Sequence, residues 1–117
     1  MTASSDQEFW DSLEQLMVST KLVIDRPKGT RHPKFPEIVY PVDYGYLDGT
    51  TSADGGGIDV WRGSRKDNQI TGVICTVDLL KKDSEIKILM GCTTEEIEIL
   101  CQFHNADKIM KGMLILR

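Results

Sequence analysis

Apolar positions recur along this chain with two periods. Near the start, Phe9, Trp10, Leu13, Leu16 and Met17 fall three and four residues apart behind Ser5-Asp6-Gln7-Glu8, which has the S-x-x-E form of a capping box. This predicts an amphipathic helix over about residues 6–18 whose apolar stripe packs on the domain's own core. Thr93-Thr94-Glu95-Glu96 opens a second helix of the same kind, with Ile97, Leu100 and Phe103 on one face and its end near His104-Asn105. Between and after them lie β-prone runs at residues 21–25, 58–61, 70–77 and 86–90, with 113–116 as a closing strand. Residues 78–84 read as a hairpin or short loop whose ends bring Asp78 and Asp83 together. The count predicts a mainly β, α+β fold: a small barrel or strongly curved sheet of about five strands with two helices packed outside. Residues 1–20 form its N-terminal helical arm, and residues 21–117 form the barrel with the C-terminal helix, in one domain.

Charge narrows the range of partners. Lysine and arginine number 14 against 18 acidic residues, a net charge of -4 and a pI near 5.1, which weighs against nucleic acid and anionic membranes. Cys75, Cys92 and Cys101 form no C-x-x-C pair and read as reduced thiols in or near the core. With no basic leader or long apolar run, the chain is expected to be cytoplasmic.

The chemistry concentrates in YPVDYGYLDGTTSADGGGIDVWR, residues 40–62, which holds Asp43, Asp48, Asp54 and Asp59, three tyrosines and five glycines. Gly55-Gly56-Gly57 permits a sharp turn, and the following strand aims Asp59 away from Ile58 and Val60. A carboxylate in that turn and another entering the strand can converge, and such a pair shares a proton or holds a cation. The cation is the favoured reading. Residues 26–41 carry all four prolines together with Arg26, Lys28, Arg31, His32 and Lys34. That composition makes an extended loop, either solvated or forming a cationic rim for a phosphorylated substrate. His104, alone at a helix C-terminus, reads as a structural or dipole-complementing residue rather than a catalyst.

Residues 40–60 resemble the centre of the soluble family I inorganic pyrophosphatases, with their YP-x-NYGY segment and D-x-D-x-x-D-V signature. Ile24-Asp25-Arg26-Pro27 stands where that family has I-E-I-P, Lys34 falls at its phosphate-binding lysine, and Gly72-Val73, Asp78 and Asp83 follow in its order. The resemblance spans most of residues 22–83. It implies an OB-like barrel, inorganic diphosphatase activity, and magnesium, or manganese in its place, as cofactor. It further implies metal binding by Asp54, Asp59, Asp78, Asp83 and Asp25, with Asp25 replacing a glutamate. Tyr44 would serve the reaction and, with Lys34, touch phosphate, and a homo-oligomer is implied. Arg62, close behind the signature, is a candidate for a further phosphate contact, as are Arg65, Arg31 and His32.

The departures cut into this pattern. Gly56 occupies the place of the family's general-base aspartate, which costs about 10²–10⁴ in rate unless Asp43 or Asp48 stands in. The chain passes from Lys34 to Tyr40 without the family's arginine-bearing hairpin. His104-Asn105-Ala106 stands where a Tyr-Lys pair belongs, Glu85 takes the place of a lysine, and Asp43 that of an asparagine. Three functions follow: magnesium-dependent hydrolysis of inorganic pyrophosphate, a catalytically impaired metal- and phosphate-binding relative, or a hydrolase of another phosphoanhydride such as a nucleotide. Single-stranded nucleic-acid binding on an OB-like barrel is a distant fourth.

Overall fold

The computed structural model describes residues 3–117, with side chains described from Ser5 onward. Helix α1 (Ala3–Ser19) is followed by β1 (Lys21–Arg26), β2 (Asp43–Asp48), β3 (Ile58–Arg62), β4 (Ile70–Asp78) and β5 (Asp83–Met90). Helix α2 (Thr94–Phe103) and β6 (Met110–Leu116) complete the order. All six strands form one sheet in the order β1-β2-β3-β5-β4-β6, antiparallel except for the β3–β5 pair.

The strand count and closure differ from expectation. Among the described residues there are six strands rather than about five, and the order leaves β1 and β6 at the two edges, so the sheet is open. The additional strand is β2, Asp-Tyr-Gly-Tyr-Leu-Asp, whose polar and glycine positions hide a period of two. Gly45 is needed within it, because a Cβ there would stand 1.8 Å from the Val23 carbonyl oxygen of β1. Helix α1 is already formed at Ala3, so Ser5 lies inside its first turn rather than capping it. The second capping box is present: Thr93 Oγ1 accepts from the Glu96 N–H, and the Glu96 carboxylate accepts from the Thr93 N–H.

The two helices cover opposite faces of the sheet. On one, Trp10 and Leu13 of α1 pack with Leu47, Val60, Val73 and Ile88. On the other, Leu100 of α2 packs with Trp61, Ile74 and Leu89, joined by Tyr40 and Val42 from the segment before β2. Consecutive residues divide between the faces, Val60 from Trp61 and Ile88 from Leu89, as the pleat requires. Beyond the reach of α2, the α2 face becomes polar. There Asp59 of β3 is in register with Tyr46 of β2 and Lys87 of β5, while Glu85 and Asp83 follow Lys87 at two-residue steps.

Candidate functional site

The polar part of this face is built from three strands. Lys87 is buried at 6% exposure, and its ammonium donates to Asp59 Oδ2 at 2.8 Å and to the Tyr44 hydroxyl at 3.0 Å. Glu85 Oε2 lies 3.7 Å from the same nitrogen, buried and without a hydrogen-bond partner. Burial opposes the charge on Lys87, but Tyr44 and Asp59 outweigh it and hold its pKa above the usual lysine value. Burial likewise pushes Glu85 up to about 7, with Lys87 opposing and the Asp59 carboxylate adding to the rise. Desolvation also raises the Tyr44 phenol, which remains neutral at physiological pH.

Aromatic rings support the cluster from behind. The Tyr44 ring stacks on Tyr40 at 5.4 Å and meets Trp61 at 4.4 Å. Arg26 Nη1 donates to the Tyr40 hydroxyl at 2.6 Å. The Trp61 indole N–H donates to His104 Nε2 at 2.9 Å, and His104 is 4% exposed. Burial lowers its pKa to about 3, so His104 is a neutral acceptor rather than a charged helix cap. Its ring packs against Trp61 and Phe103 behind the cluster.

Basic side chains surround His32, whose pKa is lowered first by its own desolvation and then by the charges of Arg26, Lys81 and Lys34. Lys34 is exposed, and its backbone N–H is held by His32 Nδ1. Asp54 sits at the exposed turn, where its Oδ1 accepts from the Gly56 N–H and the Ser52 hydroxyl. Those bonds hold its carboxyl below the usual range, with smaller help from Lys81 and Lys87.

The residues singled out from sequence therefore divide. Tyr44 and Asp59 meet through Lys87. Asp78 and Asp83 are paired across the β4–β5 hairpin, and Asp78 Oδ1 accepts the N–H groups of Leu80 and Lys81. Asp54 Oδ1 is held within its own turn by the Ser52 hydroxyl and the Gly56 N–H. Asp25 is exposed at the irregularity of edge strand β1. Arg62 follows Val60 to the α1 face, where its guanidinium donates to the Met90 and Arg65 carbonyls. Arg65 pairs with Asp67, Arg31 donates to the Pro36 carbonyl, and Asp43 accepts the Lys28 N–H. Lys87 and Glu85 were the residues missing from the sequence-based site. The available signal was E-x-K inside a β-run, which puts both charges on one face.

The donor set does not fit a resident magnesium ion. Such an ion requires near-octahedral oxygens at about 2.0–2.1 Å. Here an ammonium already donates to Asp59 Oδ2 and lies 3.7 Å from Glu85 Oε2, and Asp54 Oδ1 accepts the Gly56 N–H of its own turn. Among the described residues, no three histidine, cysteine or acidic side chains converge as a metal group.

No protein-family model matches the sequence, and none of the curated proteins matches it. Among the described residues no helix is long and apolar enough to cross a membrane. Solved structures do share the fold. An inorganic pyrophosphatase from Coxiella burnetii superposes with a TM-score of 0.62 at 12% identity, over 81% of this chain and 84% of its own. An inorganic phosphatase from Anaplasma phagocytophilum does so at 0.55 and 16% identity, over 81% of each chain. The inorganic pyrophosphatase of Helicobacter pylori does so at 0.54 and 13% identity, also over 81% of each. At these identities the likeness is one of fold: a mainly β sheet with two helices, as in solved inorganic pyrophosphatases.

Proposed function

We propose that this chain takes up pyrophosphate as its complex with magnesium and hydrolyses it slowly. The observation that carries this reading is the arrangement around Lys87. A fixed ammonium and the Tyr44 hydroxyl lie on the polar sheet face of a pyrophosphatase-like fold. Arg26 reaches the aromatic support of that face through the Tyr40 hydroxyl, and Lys34 is exposed on the loop before β2. A bare pyrophosphate would meet the carboxylates of this face and be repelled. A magnesium-loaded one presents its cation to Asp78 and Asp83 and its phosphoryl oxygens to the lysines and the arginine.

In the reaction, water oxygen bonds to one phosphorus as the bridging P–O bond breaks, and the two water protons pass through solvent to the products, which leave as two hydrogen phosphates. The lysines and the arginine neutralise charge on the equatorial and leaving oxygens. No carboxylate stands at position 56 to receive the water proton, so turnover is slow. A second reading, binding without turnover, is favoured by that glycine and by the engagement of Arg62 on the opposite face.

The test combines calorimetric binding with phosphate release, using pyrophosphate, triphosphate and nucleotides in magnesium or manganese. Saturable binding of the magnesium–pyrophosphate complex with slow phosphate release supports the first reading, and binding with none supports the second. Absence of binding to all of these ligands rejects both.

A further inference from the structure

The cation at the centre of this site belongs to the polypeptide. Lys87 Nζ is 2.8 Å from Asp59 Oδ2, 3.0 Å from the Tyr44 hydroxyl and 3.7 Å from Glu85 Oε2, so its contacts point to three oxygens around one buried nitrogen. Strand pairing fixes it there, because Asp59 and Lys87 are register partners in the parallel β3–β5 pair. Side-chain exposures of 8% for Lys87, 19% for Asp59 and 6% for Glu85 keep most water from competing.

A divalent ion at this point would need the same oxygens. The ammonium already takes Asp59 Oδ2, and a divalent ion at about 2.0–2.1 Å from the remaining oxygens would stand close to a second cation that repels it. The two roles differ chemically as well. A lysine ammonium supplies one positive charge and three N–H donors, whereas a divalent ion carries two charges and polarises its own water. One ammonium facing two carboxylates leaves the group short of positive charge. The buried Glu85 Oε2, without a hydrogen-bond partner, is where that shortage falls.

We propose that Lys87 is the built-in cation of this site, standing between Asp59 and Glu85 where a resident divalent ion would otherwise bind, so that metal enters only with the phosphate ligand. The assignment of Lys87 rests on the cluster geometry. Only the delivery of metal by the ligand rests on the substrate reading above.

Manganese alone, with no phosphate present, tests the assignment apart from that reading. In the wild-type chain, millimolar manganese leaves the melting temperature unchanged and causes no selective paramagnetic broadening of the amide signals of Asp59, Glu85 and Lys87. Lys87→Met leaves two facing carboxylates; its melting temperature falls, manganese raises it again by several degrees, and adding Asp59→Asn removes that response. The proposal is overturned if manganese stabilises the wild-type chain in a manner lost in Asp59→Asn and broadens those three amides. It is also overturned if folded Lys87→Met gains no metal response. Should Lys87→Met not fold, the wild-type broadening experiment decides alone. Failure of pyrophosphate to bind, with these manganese results unchanged, removes the substrate reading and leaves the role of Lys87 standing.

Discussion

Asp59 and Lys87 are 28 residues apart in sequence and 2.8 Å apart in space, because β3 and β5 run parallel and in register. The pair is nearly buried, so removing one partner exposes the other to an uncompensated desolvation cost. Lys87→Met is expected to lose about 3–5 kcal/mol of unfolding free energy in denaturant titration. Asp59→Asn combined with it should lose clearly less than the sum of the single changes. Strict additivity would show that the contact contributes nothing of its own.

Glu85 gives stability a dependence on pH that can be isolated. Its carboxyl is raised from 4.5 in the unfolded chain to about 7 in the folded one, mainly by burial. Between those values the folded state binds more protons, so stability falls as pH rises and the penalty is complete above about 7. Glu85→Gln, which cannot ionise, should therefore stabilise the chain at pH above 7. The gain should stay below the roughly 3 kcal/mol that a full shift of this size gives at about 1.36 kcal/mol per pKa unit, because solvent screens the carboxyl, and should shrink toward acid. An equal gain across the range would mean that packing, not ionisation, is responsible.

His104 acts in the opposite direction. Its imidazole falls from 6.5 to about 3 on folding, chiefly through burial, so the unfolded chain takes up a proton first as pH drops. Stability should decline below about pH 6.5 with a contribution of roughly 1.4 kcal/mol per pH unit from this group until pH nears 3. His104→Gln should be less stable at neutral pH, where the geometry of the Trp61 hydrogen bond is disturbed, and should lack that part of the acid slope. Melting curves of both proteins from pH 4 to 7 measure the difference.

Gly45 tests the sheet itself. A methyl group there would press into the Val23 carbonyl at 1.8 Å, where all three nearest atoms are backbone and cannot rotate away. Gly45→Ala should cost at least about 1–3 kcal/mol and weaken the β1–β2 pairing first. Amide exchange of residues 22–24 against that of β4 would show whether the loss is local.

Most of the scaffold is readable from local pattern. The runs that became β3, β4 and β5 carry enough branched and apolar residues to announce strands, and Thr93 and Glu96 mark the start of α2. The hairpin that pairs Asp78 with Asp83 was legible for the same reason. Strand β2 was not, since Tyr44, Gly45 and Tyr46 look like turn or site chemistry and not like a half-buried ladder. The site was less legible than the scaffold. Asp59 stands out in the sequence because it interrupts an apolar run, but its pairing with Lys87 depends on a parallel crossover that no short-range pattern encodes. Arg62 shows the limit of chain proximity: nearness to the signature suggested a phosphate contact, while the pleat carries its side chain to the face opposite Lys87.

Gly56 separates slow catalysis from binding alone. It is exposed, and its φ is not among the positive ones, unlike that of Gly55. A Cβ at position 56 meets only Asp54 Oδ1, at 3.3 Å, and otherwise open space, so an aspartate can be accommodated with a small shift of that side chain. The new carboxylate would sit in the turn leading into Asp59, where it can take the proton of an attacking water. On the slow-hydrolase reading, Gly56→Asp should raise phosphate release from magnesium–pyrophosphate by on the order of tenfold or more, since a positioned base contributes about 10²–10⁴. The gain should appear in kcat with little change in KM, because the added group touches water and not the phosphate ligand. A variant that binds the complex as the wild type does and releases no phosphate would place the chain among binding proteins, because a supplied base then has no bound water in line to activate.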